Sequence, residues 1–127
     1  MRTVAILLIV LVSLVSGCRY CREEQYDSFQ SPMSDGERIA VQKLDALIRT
    51  CPHARKYTVF WKEVVGSEEM GRRTLIYERE GNVLGQELDP GSGYSGPVLK
   101  VDDARIHALA QKGGSFADLA QHAPRAY

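Results

Sequence analysis

Four kinds of side chain in this sequence could do chemistry: three cysteines, three histidines, the aspartates beside one of those histidines, and a glycine-rich run. Cys18-Arg19-Tyr20-Cys21 has the C-x-x-C spacing of a redox or zinc pair, but no second C-x-x-C completes a zinc set. Cys51-Pro52-His53 opens like a thiol oxidoreductase site, yet Ala54 stands where the second cysteine belongs. Asp103 and His107 sit one helical turn apart, a spacing that makes a surface pair more often than a catalytic dyad. His107 and His122 lack a metal-ligand spacing, and no local serine motif announces a nucleophile near His53, Asp102 or Glu68-Glu69. Gly91, Gly93 and Gly96 satisfy G-x-G-x-x-G, but Pro97-Val98-Leu99-Lys100-Val101 reads as a strand where a dinucleotide loop must enter a helix. The residues therefore point to no cofactor, no metal, no nucleotide and no specific catalysis. The 16 basic residues balance 16 acidic ones, which also argues against nucleic acid as a partner.

The amino-terminal segment carries the clearest motif. Arg2 precedes an apolar run over residues 4–15, broken by Ser13, and the run is about 12 residues long against roughly 20 for a bilayer-crossing helix. Leu14-Val15-Ser16-Gly17-Cys18 resembles the lipobox of bacterial lipoprotein signal peptides, over residues 1–18 only. The resemblance implies cleavage before Cys18, a diacylglycerol thioether on its sulfur and an acyl chain on its new amino group. Two or three chains anchor a protein stably in a lipid bilayer. Arg19, where an aspartate often retains such proteins in the inner membrane of Gram-negative cells, implies the periplasmic face of the outer membrane. A lipidated Cys18 is no thiolate, which removes the C-x-x-C reading. It leaves Cys21 and Cys51 as an even pair, and an oxidising envelope favours a disulfide between them, worth about 3 to 4 kcal/mol in the chain-entropy picture.

The elements that must position these groups follow from period and punctuation. Residues 18–33 are polar and irregular and read as a lipidated tether, leaving residues 34–127 as one small domain. Ser34-Asp35-Gly36-Glu37 fits a capping box that opens a helix. Ala40, Leu44, Leu47, Ile48 and Cys51 form its apolar stripe, with Arg38, Gln42, Lys43, Asp45 and Arg49 on the wet side, and Pro52 ends it. β-Branched and aromatic residues predict strands at 57–65, 73–79 and 83–88, joined by a polar connection at 66–71 and a tight turn at Glu80-Gly81-Asn82. Asp102-Asp103 and Ser115 cap two short closing helices, the first stopped by Gly113-Gly114.

The expected fold is α+β: an N-terminal helix packed on a three- or four-stranded antiparallel meander, followed by the two short helices. A small closed barrel with the helix as plug is the alternative. For function, Ser92, Tyr94 and Ser95 in the glycine-rich run offer accessible hydroxyls and a rigid aromatic ring, a mixture suited to recognition. The leading expectation is a non-enzymatic, lipid-anchored envelope protein binding an envelope protein or cell-wall partner, in an inhibitor, immunity or assembly role. A small enzyme of cell-wall glycan or peptide, with His107 or His53 as base, and a structural wall-linking protein are the alternatives.

Overall fold

The computed structural model describes residues 26–88 and 95–121, and its architecture is α+β. In chain order the elements are β1 (Ser28–Pro32), α1 (Met33–Thr50), β2 (Lys56–Val65), β3 (Glu68–Glu78), β4 (Val83–Leu88), β5 (Leu99–Lys100), α2 (Asp103–Lys112) and α3 (Phe116–Ala120). The five strands form one sheet in the order β1-β2-β3-β4-β5, with β1 parallel to β2 and every other pair antiparallel. The edge strands β1 and β5 do not meet, so the sheet is open and the barrel alternative is excluded. The signal segment, Cys18 and Cys21 lie outside the described residues.

Strand β1 corrects the tether boundary. Residues 28–32 were expected in the linker, but they pair with residues 60–64 and turn β1, α1 and β2 into a βαβ unit. A parallel neighbour requires such a crossover, and the 18 residues of α1 supply it. The sequence Ser-Phe-Gln-Ser-Pro has little strand propensity of its own; its place depends on Phe29 stacking on Trp61, ring centroids 6.4 Å apart. Lys43 adds a cation over Phe29 at 4.3 Å and an ion pair with Asp27 at 2.6 Å.

Because the chain enters α1 directly from β1, the expected capping box does not form. The helix starts at Met33 behind Pro32, and no side chain caps it. Glu37 turns elsewhere, lying 3.6 Å from Arg73 and accepting from the Ala117 backbone N–H at 3.3 Å. Of the expected stripe, Ala40, Leu44, Ile48 and Cys51 are buried and Leu47 is half-buried against the core, while Val41, not expected there, is buried with them. The stripe covers the sheet face carrying Tyr57, Val59, Trp61, Leu75, Tyr77, Leu84 and Leu99. Asp45, expected on the wet side, is 8% exposed because α2 packs against it.

The β2–β3 connection is tighter than the sequence suggests. Val65 pairs with Glu68 across a two-residue loop, and Gly66 takes φ 63 at the first loop position, where such turns favour glycine. A bulge opposes Glu63 to Gly71 and Val64 to Glu69, so Met70 is the extra residue and is exposed. Asn82 fulfils the turn expectation with φ 51. Asp102 accepts from the Arg105 N–H at 2.9 Å, Gly113 ends α2 at φ 68, and Ser115 with Asp118 forms a capping box on α3.

Candidate functional site

His107 is the histidine around which polar groups converge, but its partner differs from the expected one. Its Nδ1 lies 3.2 and 3.3 Å from the two carboxylate oxygens of Asp45 on α1, and Arg49 bridges Asp45 at 3.1 Å while contacting the imidazole. These groups line a shallow hollow of about 440 Å³ together with Ile48, Asp103 and Gln111. No serine, threonine or cysteine is among the described residues lining it. The arrangement neutralises a buried carboxylate and ties α1 to α2.

Asp103 is occupied on the sheet side. It accepts from the Tyr77 hydroxyl at 2.7 Å and pairs with Arg79 at 2.8 Å, so the i,i+4 pair with His107 gives way to two contacts with the meander. Burial pushes the Tyr77 phenol well above its ordinary value, and the hydrogen bond to Asp103 adds to that. Tyr57, stacked on Tyr77 at 6.1 Å and donating to the Cys51 carbonyl, is raised by burial too, with Arg79 opposing the shift. His53 is exposed and lines a separate hollow with Arg55, Arg79 and Glu80, about 290 Å³ in volume. His122 lies outside the described residues, and among those described no three His, Cys, Asp or Glu gather as metal ligands.

Of the recognition residues, Ser92 and Tyr94 lie outside the described residues and Ser95 lies within them. The Ser95 hydroxyl accepts from the Leu88 N–H at 2.6 Å, and the Ser95 and Gly96 N–H groups donate to the Gln86 carbonyl at 3.0 and 3.1 Å. Ser95 therefore clasps the two roots of the 89–94 segment to β4. Gly96 packs closely on β4, where a Cβ would stand 3.2 Å from Gln86 Cβ. The roots lie at the hairpin end of the sheet: Leu88 pairs with Arg73, and a Cβ on Gly71 would meet Leu88 at 4.0 Å. Val65 and Met70 occupy the hairpin itself, and Met33 follows Pro32, which pairs with Val64. Four large exposed apolar side chains, Met33, Val65, Met70 and Leu88, thus share this end.

A largely apolar hollow among the described residues was not foreseen from the sequence. It lies between α2 and α3, about 810 Å³, with Ala108, Leu109 and Leu119 as its floor and Arg105, Lys112 and Asp118 at its rim. The only hint was Gly113-Gly114, which reads as a helix stop in sequence and acts as the bend that brings α3 beside α2. No helix among the described residues is long and apolar enough to cross a membrane. No protein-family model, no curated protein and no solved structure matches this chain.

Proposed function

We propose that the protein is a lipid-anchored envelope protein that acts as a non-enzymatic binding module, held to the bilayer through Cys18 and recognising its partner with the 89–94 segment. The observation that carries the reading is the clasp at Leu88, Ser95 and Gln86, which roots that segment on a rigid strand beside four exposed apolar side chains. Contact groups on a fixed scaffold lose less entropy on binding than the same groups on a free chain. The tether complements this polarity. Chain order brings residues 26–27 in beside Phe60, ahead of β1, and β1 then runs toward the hairpin. The described chain therefore enters at the end of β1 that lies away from the hairpin.

The test is capture of an envelope protein or peptidoglycan by the folded chain from residue 18 onward, compared with Tyr94→Ala. Loss of a central aromatic anchor should weaken binding by about 1 to 3 kcal/mol without changing the melting temperature. Unchanged affinity removes the segment from the proposal. Mass spectrometry of membrane-extracted protein should show an acylated Cys18, and Cys18→Ser should release the chain from membranes. The companion proposal, a disulfide between Cys21 and the buried Cys51, predicts no alkylatable thiol in the unfolded, unreduced mature protein. Two such thiols would overturn it.

A further inference from the structure

We propose that Met33 and Met70 are paired oxidation sites, at which a peroxide turns the apolar hairpin end of the sheet polar while leaving the fold intact. The consequence for binding rests on the reading that this end recognises a partner; the placement and the chemistry of the two thioethers do not.

Beyond Met1 the chain has two methionines, Met33 and Met70. Methionine is among the side chains most often buried, yet these two are 47% and 57% exposed, and the core formed by the described residues contains none. Each is exposed for a definite reason. Met33 lies three residues before the buried Gly36 and seven before the buried Ala40, so its spacing puts it on the apolar stripe of α1. It sits past the last β1–β2 pair, however, where Val65 at the end of β2 is exposed as well. Met70 is the extra residue of the β3 bulge, and no residue of β2 stands opposite it. Val64 relates the two: it pairs with Pro32 on one side and Glu69 on the other, each the residue before a methionine. Two strand spacings, about 10 Å, therefore separate the strands from which they project.

The chemistry needs hydrogen peroxide and an open path to sulfur. The thioether sulfur attacks one peroxide oxygen, an S–O bond forms as the O–O bond breaks, and the departing hydroxide takes the remaining proton and leaves as water. Sulfur is oxidised by two electrons and the peroxide is reduced by two. A thiol-dependent reductase reverses the step, releasing the oxygen as water and leaving a disulfide in the reductant. Other oxidisable side chains of the described core, Cys51 and Trp61, are 3% and 1% exposed, so the peroxide meets the two methionines first. Each sulfoxide replaces a flexible apolar group with a polar one beside Val65, and a partner that buries it loses apolar contact and must strip water from the new dipole. The core holds no thioether, and its packing is therefore untouched.

The experiment treats the chain from residue 18 with Cys18→Ser, which retains the whole described core, with hydrogen peroxide and maps oxygen addition by peptide mass spectrometry. Met33 and Met70 should each gain one oxygen at a rate within about threefold of free methionine, while the melting temperature holds. The oxidised protein should elute earlier from a hydrophobic-interaction column, and methionine sulfoxide reductases for both epimers, supplied with a dithiol, should restore the original elution. Met33→Leu with Met70→Leu keeps the apolar volume without the sulfur, and its elution should not respond to peroxide. Protection of either methionine by more than about tenfold, a falling melting temperature on oxidation, or an unchanged elution overturns the proposal. So does an elution shift that persists in the leucine variant. For a partner whose binding Tyr94→Ala weakens, peroxide should weaken binding about tenfold in the parent and leave the leucine variant unaffected, and equal losses in both overturn the consequence for binding. Failure of the Tyr94→Ala comparison overturns the recognition reading alone, because the mass and elution measurements involve no partner.

Discussion

Asp103 shows how one side chain can be read correctly as polar and incorrectly as to its purpose. Its position one turn before His107 suggests a helix-surface pair, yet its carboxylate receives the Tyr77 hydroxyl and Arg79 and thereby ties α2 to the sheet. Replacing Tyr77 with Phe keeps the ring and the stacking on Tyr57 while removing the donor. The expected cost is about 1 to 2 kcal/mol in urea denaturation, since a hydrogen bond to a charged group is lost but the Arg79 partner remains. A cost near zero would mean that water replaces the phenol. Asp45 behaves comparably on the other helix face: α2 buries it, Arg49 supplies the countercharge and His107 lies within hydrogen-bond distance. The contacts of Tyr77 with Asp103 and of His107 with Asp45 were not readable from sequence, because they join groups 26 and 62 residues apart.

At the scale of elements, close approach decides what a residue must be. Gly36 lies inside α1, where alanine would normally be favoured by about 1 kcal/mol of helix propensity. Here a Cβ would stand 2.5 Å from Nε1 and 3.0 Å from Cδ1 of the fully buried Trp61. Gly36→Ala should therefore lower stability by about 1 to 3 kcal/mol despite its better propensity, and a thermal melt measures the sign directly. A rise in melting temperature would show that the indole can shift. The clasp of the 89–94 segment makes the complementary prediction. Ser95→Ala removes the acceptor for the Leu88 N–H, at a cost of about 1 kcal/mol, and should speed hydrogen exchange at Leu88 while leaving exchange in the middle of β3 unchanged. Uniform acceleration across the sheet would instead indicate global destabilisation.

For the whole molecule, the stacked Tyr57 and Tyr77 make folding sensitive to alkali. Both phenols are raised in the folded state, chiefly by burial, whereas an unfolded tyrosine ionises near pH 10. The folded state therefore holds more protons than the unfolded one above that pH, so stability is complete below about pH 10 and falls as pH rises further. The urea midpoint should drop as pH rises above about 10, and tyrosinate absorbance from these two residues should appear together with unfolding. In Tyr77→Phe the drop should be smaller, because one of the two raised phenols is gone.

Local chemistry was sufficient for much of this architecture. The apolar stripe of α1, the alternation in β2, the Asn82 turn, and the Asp102, Gly113 and Ser115 caps are all set by neighbours within a few residues, and all appear where their pattern places them. Strand β1 was not readable, because its five residues have weak propensity and are held by Phe29 against Trp61. The start of β3 was missed because Glu68, Glu69 and Met70 extend past the core, where no buried face imposes alternation. The Asp45 and Asp103 partnerships, and the hollow between α2 and α3, depend on how helices pack. Residue type and local period decide whether a segment becomes helix or strand and which side it buries; only tertiary packing decides which distant groups meet, and those meetings form the charge networks and the hollow.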